Sequence, residues 1–193
     1  MFESLLAGVL DPWSVPRFAG ELPPAIAKTN CVRIGQLAAL DQKPTLLYSG
    51  GLNSTYTMPA YLDAIQHLFL KEPGSFYVDF VIREEEMMGL YAELVERGLE
   101  ECSEIRVLFG DLLNYLPRSQ NVYGIMLLES DYGEYSFPYK SVSYIELGIP
   151  IICFEGSPVH RYFGDFEVTH VVKERDAESV IHTLASLTST DDT

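Results

Sequence analysis

From Lys43 onward, short apolar runs alternate with longer stretches whose apolar residues recur at helical spacing. Thr45–Tyr48 is the first run and predicts a strand, which leads into Ser49-Gly50-Gly51-Leu52-Asn53. Pro59–Leu70 has apolar residues at helical spacing, Ala60, Leu62, Ile65, Leu68 and Leu70, and predicts a helix. Phe76–Ile82 is rich in β-branched and aromatic residues and predicts a second strand. Glu84–Arg97 predicts a helix with an acidic first turn, which suits the helix dipole, and Gly98 as its stop. Ile105–Phe109 is the third strand, Asp111–Leu116 a short helix ended by Pro117, and Val122–Leu128 the fourth strand. A helix over Tyr139–Leu147 closed by Gly148, a strand over Ile149–Cys153, a strand over Val168–Val172 and a helix over Ala177–Leu187 complete the pattern.

The strands are continuously apolar rather than alternating, which is the mark of a parallel sheet covered on both faces. The fold class expected is therefore α/β, a doubly wound, mainly parallel, Rossmann-like sheet of about six strands. In such sheets ligands sit beyond the carboxyl ends of the strands, near the point where strand order reverses. That rule singles out Ser49–Thr57, Phe109–Asp111 and Glu129–Pro138. Residues 1–43, with Pro12, Pro16, Pro23 and Pro24 and no strong period, read as an N-terminal helix and linker, and 44–193 as the domain.

Composition narrows the picture. A chain of 193 residues that is 47% apolar can bury a proper core, and two domains of typical size would need roughly 250 residues or more. A net charge of −15 argues against nucleic acid or an anionic membrane surface as a partner. It leaves room for one anionic ligand, since backbone N–H groups at a helix start can hold a phosphate in an acidic protein. Cys31, Cys102 and Cys153 are odd in number, far apart and without C-x-x-C spacing, so neither a disulfide framework nor a zinc site is expected. Cys153 lies inside an apolar run and reads as a buried, inert thiol. The apolar stretch Leu5–Leu10 is too short for a signal peptide or a membrane span. A cytoplasmic location is the expectation.

Two stretches carry candidate chemistry. Gly50 and Gly51 allow a tight turn and close approach of a ligand, and Asn53, Ser54 and Thr55 supply donors and helix caps. This is either a diphosphate cradle or an ordinary strand-to-helix turn; it matches neither G-x-G-x-x-G nor a P-loop. The second stretch, Glu129–Lys140, mixes carboxylates, hydroxyls and aromatics and ends with Lys140 in the first turn of a helix. A cation there opposes the helix dipole and becomes intelligible if an anion shares the site. The other reading is a solvated loop with a surface lysine. The four histidines are not grouped at ligand spacing, no G-x-S-x-G elbow occurs, and Glu84-Glu85-Glu86 reads as a solvated helix start.

The stretch Tyr135-Ser136-Phe137-Pro138-Tyr139-Lys140, continuing to Glu146-Leu147-Gly148-Ile149-Pro150, resembles the C-terminal-domain signature of retaining GT-B glycosyltransferases. Leu47–Asn53 is similar to the first strand and glycine loop of the same enzymes, and the pattern extends over about residues 43–187. The resemblance implies a domain that binds a nucleotide diphosphate sugar, with no cofactor and no metal, and sugar transfer to a polysaccharide or glycolipid acceptor. It assigns donor binding to Gly50, Gly51, Asn53, Tyr135, Ser136, Phe137, Pro138 and Ser143. It makes Lys140 the catalytic cation that meets charge developing on the leaving diphosphate. It also implies an acceptor-binding domain or subunit as partner. Relatives carry two glutamates where this chain has Tyr135 and Ser143, with Glu134 and Glu146 nearby but out of register. They carry cations where it has Gly51 and Tyr56. These departures motivate the alternative, a catalytically degenerate Rossmann-like binding or assembly module.

Overall fold

The computed structural model describes residues 41–52, 58–112, 115–128, 139–166 and 168–188. Nearly all of the 1–43 segment, and the candidate residues Asn53, Tyr135, Ser136, Phe137 and Pro138, lie outside the described residues.

Six parallel strands form one sheet: β1 (Thr45–Ser49), β2 (Tyr77–Ile82), β3 (Ile105–Phe109), β4 (Val122–Met126), β5 (Ile151–Phe154) and β6 (Thr169–Val172). Among the described residues the α-helices are α1 (Met58–Lys71), α2 (Met87–Glu96), α3 (Tyr139–Glu146), α4 (Pro158–Phe163) and α5 (Ala177–Thr188). Strand order is β3-β2-β1-β4-β5-β6, so the direction of winding reverses between β1 and β4. This is the doubly wound arrangement that uninterrupted apolar strands require, because neither face of the central strands meets water.

Side chains alternate between the two faces. Leu46 and Tyr48 of β1, with Val78, Phe80 and Ile82 of β2, pack beneath α1, α2 and α5. Leu47, Val81, Met126, Ile151 and Cys153 project to the other face, against Tyr144 and Ile145 of α3 and Val159 of α4. Gly124 in β4 makes room for α3: a Cβ there would stand 2.7 Å from the Tyr144 ring. The Tyr144 hydroxyl donates to the Leu47 carbonyl at 3.2 Å. The helix is thus seated directly on the sheet backbone.

Asp79 of β2 is fully buried, and its carboxylate is completely engaged. It accepts from Arg106 of β3 at 2.6 and 3.2 Å and from the Tyr115 hydroxyl at 2.6 Å, and it pairs with Arg118 at 2.8 Å. Arg118 also donates to the carbonyls of Val78 and Glu104 and stacks over the Tyr77 ring. One carboxylate on the sheet therefore ties down the connection from β3 to β4. Of the helix expected over Asp111–Leu116, Leu112 forms part of a 3-10 turn, residues 113 and 114 lie outside the described residues, and Tyr115 and Leu116 are irregular.

Two local departures have plain causes. The expected helix at Glu84–Arg97 begins as a 3-10 turn over Glu84–Glu86 before α2 starts at Met87, and its stop, Gly98, has φ of 65°. Helix α4 was not expected from periodicity, being only six residues long. Ser157 caps it by accepting from the His160 N–H, with Pro158 in the first turn.

Candidate functional site

The site is built from the carboxyl ends of β1, β2 and β3 and the start of α3. Beyond Ser49 the chain turns at Gly50 with φ of 115°, a conformation that side chains rarely adopt. Three neighbours hold the turn. The Gly50 N–H donates to the Val81 carbonyl at 2.9 Å. The buried Tyr48 hydroxyl donates to the Gly51 carbonyl. The Leu52 N–H donates to Glu86 Oε1 at 3.2 Å. Gly50, Gly51 and Leu52 are thus held by β1 itself, by β2 and by the turn that follows β2.

Lys140, the second residue of α3, reaches across this turn. Its Nζ and Cε occupy the space that a Cβ on Gly50 would need, and the ammonium lies 5.9 Å from the centre of the Tyr48 ring. Burial lowers the Lys140 pKa to about 8; the Glu86 carboxylate opposes the shift and the Arg83 guanidinium adds to it. A partly desolvated cation at a helix N-terminus is poised for an anionic group, because the helix dipole and the lost hydration both favour a counter-charge there. Ser143, one turn along α3, borders the same space. Gly50, Lys140 and Ser143 are thus brought together, and Gly51 adjoins them.

The cleft over these residues has a volume of about 660 Å³. Its far wall is the end of β3, with half-exposed Phe109 followed by Gly110 at φ of 124° and Asp111. Among the described residues, Arg83-Glu84-Glu85, beyond β2, also line it, a stretch outside the three strand-end loops expected to face a ligand. Reading Glu84–Glu86 as a solvated helix start holds for the first two residues and fails for the third. Only 15% of the Glu86 side chain is exposed, and it accepts from Arg83 Nη2 at 2.7 Å as well as from the loop amide. Burial alone would raise the Glu86 pKa, but the hydrogen bonds from Arg83 and Leu52 outweigh it, and the net shift is downward. The pairing of β1 with β2 brings these groups beside the glycine turn.

Among the described residues, no three His, Cys, Asp or Glu side chains gather into a group that could hold a metal ion. No helix there is long and apolar enough to cross a membrane.

An all-parallel, doubly wound sheet with its cleft at the reversal of strand order defines a Rossmann-like α/β domain. Solved glycosyltransferases share this fold. WaaG, a glycosyltransferase involved in lipopolysaccharide biosynthesis, superposes with a TM-score of 0.58 at 13% identity, covering 87% of this chain and 43% of its own. The α,α-trehalose 6-phosphate synthase of Burkholderia multivorans gives 0.57 at 13% identity, covering 88% and 42%. Anabaena HepE, solved in complex with UDP and glucose, gives 0.54 at 13% identity, covering 86% and 43%. The chain therefore has the fold of part of a GT-B glycosyltransferase and spans less than half the length of these structures, an extent consistent with their C-terminal half. No family model and no curated protein matches it.

Proposed function

We propose that this chain is the donor-binding domain of a glycosyltransferase, holding a nucleotide diphosphate sugar by its diphosphate between the Gly50-Gly51 turn and Lys140. The observation that carries this reading is the Lys140 ammonium lying across Gly50 at the mouth of the cleft. The likeness in fold to glycosyltransferases, one of them solved with UDP, supports it. Lys140 then meets the negative charge that develops on the departing diphosphate, where a preorganised cation lowers the barrier most. Gly50, Gly51, Asn53, Tyr135, Ser136, Phe137, Pro138 and Ser143 are assigned to donor contact in the same proposal. So are retention at the anomeric carbon, a cytoplasmic location, a polysaccharide or glycolipid acceptor, and an acceptor-binding domain or subunit across the cleft.

Calorimetric titration of the chain with UDP, GDP and dTDP, and with their sugar derivatives, tests this. Saturable binding of at least one diphosphate, lost in Lys140→Ala, is the expected result. Silence with all of them overturns the reading.

A second reading, a catalytically degenerate assembly module of the same fold, is favoured by one observation. Ser143 borders the cleft at a position where the resembling family carries a glutamate. Under this reading Lys140→Ala leaves partner binding unchanged, and no diphosphate binds.

A further inference from the structure

The two loop glycines face two different cations. Lys140 fills the hollow over Gly50, whereas a Cβ on Gly51 would stand 3.0 Å from Arg83 Nη2 and 2.9 Å from Glu86 Oε1. Consecutive Cα atoms are about 3.8 Å apart, so a guanidinium from the end of β2 and an ammonium from the start of α3 hang over adjacent residues of one turn. They approach from different elements and border the same cleft.

Glu86 engages the guanidinium. Its Oε1 accepts from Arg83 Nη2 at 2.7 Å and from the Leu52 N–H at 3.2 Å. Its Oε2 is buried and has no hydrogen-bond partner among the described residues. A loop amide, a guanidinium and a nearby ammonium are the donors that phosphate oxygens take up, and here the Glu86 carboxylate takes up the amide and the guanidinium. Arg83 is the exposed member of the pair, with 65% of its side chain exposed against 15% for Glu86. Turning the Arg83 head toward the cleft leaves the Glu86 carboxylate with the Leu52 N–H alone, a cost that the contact with a diphosphate has to outweigh, while the main chain of Arg83 stays fixed at the strand end.

Resting on the diphosphate reading above, we propose that Arg83 is a second phosphate-holding cation of this cleft. Glu86 keeps it over Gly51 when no ligand is bound and yields it to a diphosphate oxygen when one arrives. This places one cation on each side of the glycine turn. It also gives Glu86 a role as a resident anion that sets how tightly a diphosphate must bind to displace it.

Calorimetric titration with UDP, UMP and inorganic pyrophosphate tests the proposal, on the wild-type chain and on Arg83→Ala, Arg83→Lys and Glu86→Gln, each checked by thermal melting. Arg83→Ala should weaken UDP and pyrophosphate by roughly tenfold or more and UMP by less, so that the preference for the diphosphate narrows. Arg83→Lys should recover part of the loss, since lysine keeps the charge but not the fork. Glu86→Gln retains an acceptor for the Leu52 N–H and frees Arg83, so UDP should bind severalfold more tightly. If the wild-type chain binds UDP and pyrophosphate but Arg83→Ala binds them equally well, the role of Arg83 is overturned and the diphosphate reading stands. If the wild-type chain binds neither, nor GDP nor dTDP, both fall together.

Discussion

The stem and ammonium of Lys140 lie over Gly50 in the space that any larger residue at that position would occupy. The contact joins the end of the first strand to the start of the helix that follows the fourth, so it spans the point where the sheet reverses direction.

Gly50→Ala should therefore fail in two ways. At φ of 115° an alanine is strained, at a cost of about 1–3 kcal/mol, and its methyl group evicts the lysine. Urea denaturation should show the loss of stability, and titration with pyrophosphate should show weakened binding. A variant that keeps wild-type values in both measurements would contradict the packing of Lys140 on Gly50.

The depressed pKa of Lys140, about 8 against 10.5 in an unfolded chain, gives two pH dependences of opposite direction. Between those values the unfolded chain binds more protons, so the contribution of this group to stability rises with pH across that window. Below it the charged, partly desolvated ammonium opposes folding. A diphosphate needs the charged form, so affinity should fall as pH rises through about 8. Binding measured near that pH in buffers of different ionisation enthalpy should show proton uptake, and Lys140→Arg, whose guanidinium stays charged there, should abolish it.

Asp79 is a structural counterpart with a different readout. Removing the buried carboxylate in Asp79→Ala leaves Arg106, Arg118 and Tyr115 without their shared acceptor. Breaking such a buried pair costs about 3 kcal/mol or more, and Tyr115→Phe, which removes one hydrogen bond, about 1 kcal/mol. Chemical denaturation should rank the two variants in that order. Equal midpoints would show that the carboxylate does not anchor the connection from β3 to β4.

Burial pushes the Cys153 thiol up to about 12, with Ser157 opposing. At pH 8 it is almost entirely protonated and enclosed within β5, so iodoacetamide should label it only after unfolding. Rapid labelling of Cys153 in the native protein, located by peptide mapping, would contradict its place in the interior.

Much of this architecture could be read from the residues because the strands at the centre of the sheet are unbroken apolar runs. Thr45–Ser49 and Ile151–Phe154 are buried at every position, and Gly98 and Gly148 end helices with the positive φ that glycine permits. The signal for α4 was present but was not periodicity: Ser157 followed by Pro158 is a capping pattern, and six residues are too few to show a repeat. Gly50 and Lys140 were legible as candidates because each is odd in its own setting, a glycine pair after a strand and a cation at a helix start. Arg83 and Glu86 are ordinary in theirs. What gives them meaning is the lateral pairing of β1 with β2, which no local pattern encodes.

The seat of α3 on Gly124 has a consequence for how such a site tolerates change. Lys140 is aimed by a helix whose height above the sheet is set by the Tyr144 ring resting on bare backbone. One added carbon at position 124 would lift that helix and carry the ammonium with it, altering ligand affinity while touching no atom that a ligand meets. A survey of variants scored by affinity alone would then flag an interior strand position as if it belonged to the surface of the cleft.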